Sequence, residues 1–396
     1  MTDHTPPRIY LDNAATSWPK PPAVYEAVDR YLREIGAAAA RSAYSQAAEA
    51  ESIVLAARKG MARLLGVRDP NRIVFTLNGT DSLNLAIHGV LRLSGGHVVT
   101  TEIEHNSVLR PLRYLEDRGD IEVTRVACDG SGFVDPSVIE QAIRDDTRLV
   151  VAIHASNVTG AVQPLEEIGA IVAEHPALFL IDAAQTLGHW PLNAETAKAD
   201  MIAAPGHKGL LGPLGTGILY LRPEVEALLE PLRQGGTGSA SDEDHQPQWM
   251  PDRYESGNLN MPGIAGLAAG VDFVLARNTE NLRKHEQELL GRLLDGLREI
   301  AGVTVYGPQT ADRRVGVVSF NVKGYDPREV AAALDAGYGV QSRAGIQCAP
   351  GVHAALGTLE RGGTVRFSVG PMTTLGEIDQ AVTALGEIAS ASLGNP

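Results

Sequence analysis

Seven short runs rich in β-branched and apolar residues recur between residues 72 and 221. Most of these runs are apolar throughout, as in strands that are buried on both faces of a sheet. The stretches between them at 82–93, 108–118, 136–144 and 164–174 have helical spacing and enough length for crossovers between parallel strands. We therefore predict an α/β fold with a mainly parallel seven-stranded sheet, whose strands are 72–77, 97–101, 121–127, 148–154, 177–181, 201–203 and 216–221.

The pattern differs towards both ends of the chain. Prolines at positions 19, 21 and 22 exclude regular helix from the first segment and favour a fixed arm. Beyond residue 260, two helical patterns precede shorter runs that are typical of strands. We therefore predict an N-terminal arm (1–22), a large α/β domain (23–260) and a smaller C-terminal α+β domain (261–396).

Composition excludes several classes of function. The 396-residue chain has a formal net charge of −14 and a pI near 5.3, whereas nucleic acids and anionic membranes attract basic surfaces. No apolar run approaches the roughly 20 residues that span a bilayer, and no leader is recognised, so we expect a cytoplasmic protein. Only two cysteines are present, which indicates neither a disulfide framework nor a metal site.

A glycine-flanked lysine, Lys208, lies between two of the predicted strands in the sequence Gly206-His207-Lys208-Gly209. Small neighbours allow the backbone and a ligand to approach closely. Apolar surroundings favour the neutral amine of a lysine, and such an amine forms Schiff bases with aldehydes. The alternative is an exposed turn with a solvated lysine, because most lysines are exposed.

Polar residues follow four other predicted strands. Asp182 lies where ligands bind in open α/β sheets, and a protonated pyridine nitrogen is a suitable partner for it. Gly79 and Thr80 begin a predicted helix, whose free amides can hold a phosphate. His105 can stack on a flat ring, and Asn157 offers an amide to a ring hydroxyl. We expect these strand ends to meet at one site, although helix capping alone also explains Asp182 and Gly79.

The C-terminal part contributes a cysteine and two arginines. We predict a loop at 341–351, in which Cys348 is close to Arg343 in sequence. A thiol near a cation is partly ionised and nucleophilic, whereas most cysteines are buried and inert. Arg366 lies on a predicted strand and can grip a substrate carboxylate in two places, with a surface ion pair as the alternative.

Together these motifs resemble the class V aminotransferase family of pyridoxal-phosphate enzymes, and in particular its cysteine desulfurase and selenocysteine lyase branch. The resemblance extends over nearly the whole chain and implies fold type I, a homodimer and an amino-acid substrate. The motifs that carry it are Leu11-Asp12-Asn13-Ala14-Ala15-Thr16, Glu104-His105-Asn106-Ser107, Ser156-Asn157-Val158-Thr159-Gly160, Asp182-Ala183-Ala184-Gln185, Gly206-His207-Lys208, Arg343-Ala344-Gly345 with Cys348, and Arg366-Phe367-Ser368.

The resemblance also implies a role for each site residue. Lys208 forms the Schiff base, and Asp182 contacts the pyridine nitrogen. His105 stacks on the ring, Asn157 and Gln185 lie near the ring oxygen, and Gly79, Thr80, His207 and Asn258 belong to the phosphate region. Asn13, Arg343 and Arg366 belong to the substrate region, and Cys348 takes the sulfur as a persulfide.

Several positions depart from the family pattern. Pro205 replaces a hydroxyl residue, and Asn258 replaces a threonine that reaches the partner subunit's phosphate. Tyr44 and Gln347 each replace a histidine, and Pro371-Met372 replaces an aromatic pair. The function we predict is conversion of L-cysteine to L-alanine, with sulfur passing from Cys348 to an acceptor protein. A carbon–sulfur β-lyase acting on a cysteine conjugate or selenocysteine is the alternative. A non-catalytic binding module that retains the fold is the third.

Overall fold

The computed structural model describes residues 8–39 and 42–393, so residues 1–7 of the predicted arm lie outside the described residues. The strands are β1 (Ile9–Tyr10), β2 (Ile73–Thr76), β3 (Gly96–Thr101), β4 (Ile121–Val126), β5 (Thr147–Ile153), β6 (Leu178–Asp182), β7 (Met201–Pro205), β8 (Gly217–Leu221), β9 (Val303–Tyr306), β10 (Val317–Val322), β11 (Val340–Gln341), β12 (Arg343–Gly345) and β13 (Thr364–Ser368). The α-helices are α1 (Pro22–Arg30), α2 (Ser45–Leu64), α3 (Gly79–Ser94), α4 (Asn106–Asp117), α5 (Pro136–Ala142), α6 (Leu165–Val172), α7 (Met261–Arg277), α8 (Thr279–Glu299), α9 (Pro327–Tyr338), α10 (Pro350–Ala355) and α11 (Leu375–Leu393).

The large sheet contains the seven strands predicted from the sequence, in the order β2-β8-β7-β6-β5-β3-β4. The pairs from β7 to β4 are parallel, whereas β8 is antiparallel to both β7 and β2. The chain between β7 and β8 is too short for a crossover helix, so it returns as a hairpin. The prediction of a mainly parallel sheet is confirmed, with this antiparallel strand near its edge.

Strand β6 shows why these runs lack alternation. All five of its residues are buried. Phe179 and Ile181 pack into the core on one face of the sheet, and Leu178 and Leu180 pack into the core on the other face. Helices cover both faces, so both sets of alternating side chains must be apolar. Because the strands from β7 to β4 run parallel, their carboxyl ends lie at one common edge of the sheet.

A second, four-stranded sheet in the order β12-β13-β10-β9 is antiparallel throughout. Its core includes Phe320 and Phe367, whose rings meet edge to face at 4.9 Å, and the apolar side of α8. Strand β1 pairs with β11, and Ile9 and Leu11 pack into this same core. Residues 9–11 of the predicted arm thus pack against the C-terminal part of the chain, while the exact domain bounds stay a prediction.

The prediction of a loop at 341–351 was wrong. Strand β11 ends at Gln341, β12 occupies Arg343–Gly345 and α10 begins at Pro350, so that only short turns remain. Such short strands have no periodic signal, and β12 exists because it pairs with β13, about twenty residues further along the chain. Helix α9, for which we had no prediction, carries a recognisable capping box formed by Asp326 and Glu329.

The described residues contain neither a membrane-spanning helix nor a cluster of metal-binding side chains. Within 8–39 and 42–393, no helix combines the length and the apolar character that crossing a membrane requires. In the same residues, no group of three or more His, Cys, Asp or Glu side chains is placed to hold a metal ion.

Candidate active site

A cavity opens at the edge of the large sheet where the parallel strands end. It encloses about 750 Å³, part of which is open to solvent. Most of the predicted site residues line it, although they come from elements far apart in the chain. They are Gly79, Thr80, His105, Asn157, Asp182, Gln185, His207, Lys208, Arg343 and Arg366.

Three predicted residues lie elsewhere in the described structure. Asn13 lines a neighbouring cavity, which shares Lys208 and Gln185 with the first. Asn258 lines two other cavities, one of about 880 Å³ near Thr237 and one of about 560 Å³ near Gly215. Cys348 follows the cavity-lining Gln347 directly, but is not itself in the cavity wall.

Lys208 follows β7 in a tightly packed turn. A Cβ atom at Gly206 would meet Thr216 Oγ1 at 2.2 Å, and one at Gly209 would meet the Leu187 carbonyl at 2.5 Å, so both positions require glycine. Burial lowers the pKa of Lys208 to about 8, and the attraction of Asp182 opposes this shift only in part. The neutral amine, which can attack a carbonyl carbon, is therefore far more populated at neutral pH than in an exposed lysine.

Asp182 ends the neighbouring strand β6, with its carboxyl group buried and facing the cavity. Its Oδ1 atom accepts a hydrogen bond of 2.9 Å from the Ala184 amide. Burial raises the pKa of Asp182, although this amide and Lys208 act in the opposite direction. A buried carboxylate is stable only with a cationic partner, so this position fits a protonated ring nitrogen of a ligand.

The other end of the cavity can bind an anion. Helix α3 begins there at Gly79, and the Asn78 side chain caps it by accepting from the Asp81 amide. A Cβ atom at Gly79 would lie 3.1 Å from Pro205 Cδ, so Pro205 forms a wall at this point. His207 Nδ1 is buried with no hydrogen-bond partner among the described residues. Free helix amides and an unpaired imidazole nitrogen are suitable groups for a phosphate.

His105 contributes a flat, neutral ring. It caps α4, and its Nδ1 atom accepts a hydrogen bond of 3.1 Å from the Ser107 amide. Burial lowers the pKa of His105 to about 4, and the nearby charges of Lys208 and Arg343 act in the same direction. An uncharged imidazole at this wall can stack on an aromatic ligand.

The side-chain amides of Asn157 and Gln185 donate hydrogen bonds to backbone carbonyls of the protein. Asn157 Nδ2 donates to the Gln347 carbonyl at 2.6 Å, and its Oδ1 atom is buried without a partner in the described part of the chain. Gln185 Nε2 donates to the Ala14 carbonyl at 3.1 Å. The unpaired Asn157 oxygen thus remains for a hydrogen-bond donor of a ligand.

Arg366 on β13 is almost fully buried and forms an ion pair of 2.7 Å with Asp12. Its Nη1 atom donates to the Asn157 carbonyl, while Nε has no partner among the described residues. The surface ion pair considered from the sequence is thus a buried one. It orients the guanidinium at the cavity wall, where an anionic group can bind it.

Arg343 connects the cavity with the cysteine. It lies directly opposite Arg366 across the β12–β13 pair. Its Nη2 atom is 3.8 Å from Cys348 Sγ, so the predicted proximity of the cation and the thiol is present in the structure. Arg343 thus contacts both the cavity and the thiol.

A buried acid next to the site residue His105 was not predicted from the sequence. Glu104 is fully buried, and its Oε1 atom accepts hydrogen bonds from Thr101 Oγ1 at 2.7 Å and the Ile153 amide at 2.8 Å. Its Oε2 atom has no partner in the described residues. Burial raises the pKa of Glu104 to about 8, and the charge of Asp182 adds to the effect. Its position at a strand end beside His105 was the available signal.

The chain is similar to known proteins over nearly its whole length. The Aminotransferase class-V family model matches residues 9–381. A probable cysteine desulfurase from Methanothermobacter thermautotrophicus is 38% identical, over 98% of this chain and 96% of its own length. A cysteine desulfurase from Salmonella agona is 30% identical, over 96% and 93%. The apo structure of a cysteine desulfurase from Thermococcus onnurineus NA1 is 35% identical, with a TM-score of 0.89 over 98% of this chain and 95% of that one. The chain therefore belongs to the class-V aminotransferase family.

Proposed function

We propose that this protein is a pyridoxal-phosphate-dependent cysteine desulfurase, which converts L-cysteine to L-alanine and leaves a persulfide on Cys348. The names of the relatives in the preceding section support this reaction. The observation that carries it is the position of Arg343, which lines the cavity beside Lys208 and contacts Cys348 Sγ at 3.8 Å. One arginine thus links the amino-acid site to a thiol that can receive sulfur.

The cavity residues fit the cofactor group by group. The amine of Lys208 suits the aldehyde, and the buried carboxyl of Asp182 suits the ring nitrogen. The α3 amides at Gly79, with the unpaired Nδ1 atom of His207, suit the phosphate, and the neutral ring of His105 suits the pyridine face. When bound, the cofactor supplies an electron sink for negative charge at the substrate α-carbon.

The protein residues then have defined tasks. Arg366 binds the substrate carboxylate, in an orientation set by Asp12. Lys208 Nζ removes the α-proton and later returns a proton, because a pKa of about 8 suits both directions near neutral pH. The Cys348 thiolate forms a bond to the substrate sulfur as the carbon–sulfur bond breaks. The electrons of that bond stay with the carbon, which takes up a proton and leaves as alanine.

One observation favours the β-lyase alternative. Among the described residues, Cys348 is not part of the cavity wall, and elimination of a thiol needs no protein sulfur. The products distinguish the two reactions, since a desulfurase releases alanine whereas a β-lyase releases pyruvate and ammonia. A binding module releases neither, and its Lys208 need not react with the cofactor.

The test compares wild type with Cys348→Ala and uses Cys128→Ala as a matched control at the other cysteine. With L-cysteine as substrate, we expect Cys348→Ala to lose at least 99% of alanine formation, while Cys128→Ala retains wild-type turnover. Borohydride reduction and peptide mapping should place the pyridoxyl label on Lys208 in all three proteins. Equal pyruvate formation by wild type and Cys348→Ala would refute the desulfurase assignment.

We further infer that the protein functions as a homodimer. Leu77, which lines one of the cavities that Asn258 lines, and Leu214, next in sequence to the lining residue Gly215, are both more than half exposed. Apolar side chains exposed together on one surface are candidates for contact with another chain. Light scattering of the purified protein should give twice the chain mass. The acceptor protein for the persulfide and the cytoplasmic location stay predictions.

A further inference from the structure

The turn that carries Cys348 has an unfavourable backbone conformation. It connects β12 to α10, and both Gln347 (φ 44°) and Cys348 (φ 60°) lie in the left-handed region. Residues with side chains rarely adopt this conformation, and two in succession are less common still. Such a turn persists only where surrounding contacts hold it in place.

Two hydrogen bonds hold the backbone of the turn against the cavity. The Asn106 amide donates to the Cys348 carbonyl at 2.8 Å, and Asn157 Nδ2 donates to the Gln347 carbonyl at 2.6 Å. Asn106 begins α4 and Asn157 follows β5, so both donors lie at the edge of the large sheet where the cavity opens. The turn thus links the residue that bears the thiol to the residues that line the cavity.

The side chain of Gln347 connects the same turn to β13 and α10. Its Nε2 atom donates to the Thr364 carbonyl at 2.8 Å, and its Oε1 atom lies 2.8 Å from Nε2 of His353. Since a carbonyl only accepts, the amide nitrogen must face Thr364 and the amide oxygen must face His353. Both side chains are buried.

The geometry also determines the form of His353. Because Gln347 Oε1 is an acceptor, His353 Nε2 carries the proton, and Nδ1 accepts from Thr358 Oγ1 at 2.8 Å. Burial lowers the pKa of His353 to about 4, so the ring is neutral. Gln347, His353, Thr358 and Thr364 form a buried series of hydrogen bonds, which we call the Gln347 network.

We propose that the Gln347 network positions the Cys348 turn, so that the thiol is held beside Arg343 and the cavity. Gln347 and His353 are positioning residues in this proposal, since they act through Cys348. The proposal rests on the proposed function only for the role of the thiol. Gln347 joins the Cys348 turn to α10 through His353 and to β13 through Thr364.

The test uses His353→Phe and Gln347→Leu, each of which removes the bond between the two side chains. His97→Phe is the matched control, because His97 is also buried and also has both ring nitrogens hydrogen-bonded, in its case to two threonine hydroxyls at 2.8 Å each. His97 lies at the end of β3 that is remote from the Cys348 turn. All three substitutions remove a buried polar group. Only the first two affect the Cys348 turn.

Hydrogen exchange of the holoenzyme without substrate reports on the turn directly. The Ala349 amide bonds to the Ile346 carbonyl within the turn, and the Asn106 amide bonds to Cys348. We expect both amides to exchange at least tenfold faster in His353→Phe and Gln347→Leu, and within twofold of wild type in His97→Phe. Unchanged exchange in both network variants, or equal acceleration in His97→Phe, would overturn the proposal.

Kinetics separate positioning from binding. For alanine formation from cysteine, kcat should fall at least tenfold in both network variants while KM changes less than threefold, because Arg366 and Lys208 are untouched. A rise in KM at unchanged kcat would contradict the positioning role. If wild type forms no alanine but the exchange results are as expected, the proposed function fails while the role of the network in holding the turn stands.

Discussion

Replacing Glu104 with glutamine should change how the stability of the protein depends on pH. The Glu104 carboxyl is fully buried, and burial raises its pKa from 4.5 to about 8. In Glu104→Gln, the side-chain oxygen can still accept from the Thr101 hydroxyl and the Ile153 amide, which both bond to Oε1 in the wild type. The substitution thus removes the ionisation and keeps the two hydrogen bonds.

The size of the effect follows from the shifted pKa. Between pH 4.5 and about 8 the folded protein holds a proton that the unfolded chain has lost. The free energy of unfolding therefore falls as the pH rises through this range, and the stability that protonated Glu104 provides at low pH is lost as pH rises through 8. The difference between a pKa of 4.5 and one of about 8, at about 1.4 kcal/mol per pKa unit, corresponds to roughly 5 kcal/mol in the free energy of unfolding.

Urea unfolding followed by tryptophan fluorescence at pH 5, 7 and 8.5 measures this difference. We expect Glu104→Gln to gain at least 3 kcal/mol relative to wild type between the lowest and the highest pH. Glu102→Gln, at a neighbouring carboxyl that reaches solvent, serves as the control and should retain the wild-type slope. If the free energy of unfolding falls equally in Glu104→Gln and wild type as pH rises, the conclusion that Glu104 is protonated in the folded protein is refuted.

Two other predictions concern a buried ion pair and the arginine beside Cys348. Arg58 and Glu255 form a buried ion pair, with both side chains only 6% exposed, so Glu255→Ala should lower the free energy of unfolding by about 3–5 kcal/mol. A loss below 1 kcal/mol in urea unfolding would contradict this. Arg343→Gln removes the cation beside Cys348 Sγ and should slow iodoacetamide alkylation of Cys348 more than tenfold at pH 7, measured in the Cys128→Ala background. An unchanged alkylation rate would show that Arg343 does not activate the thiol.

Much of the site was predictable because its residues follow strands with a strong local pattern. Asp182 ends β6, and Lys208 follows β7 between glycines whose surroundings leave no room for a Cβ atom. Parallel strands bring their carboxyl ends to one edge, so strand order along the chain was enough to place these residues together. The cavity lined by both residues agrees with that inference.

The partners of individual side chains were not predictable in this way. Asp12 and Arg366 are 354 positions apart in the chain, yet they form a buried ion pair. Nothing in the sequence near Glu104 indicates that both of its oxygens are buried. Burial and pairing depend on which distant segments pack together, and a local pattern contains no information about that.

The amino-acid sequence by itself determined the seven-stranded α/β sheet, because strands covered on both faces must be apolar and this property is read from neighbouring residues. The glycines around Lys208 also indicated it as the candidate for the reactive lysine. Only the tertiary structure decided that β8 runs antiparallel, that β12 forms at all, and that Gln347 anchors the Cys348 turn through His353. Each of these depends on hydrogen bonds whose partners and geometry are set by how the chain packs, and local periodicity does not specify them.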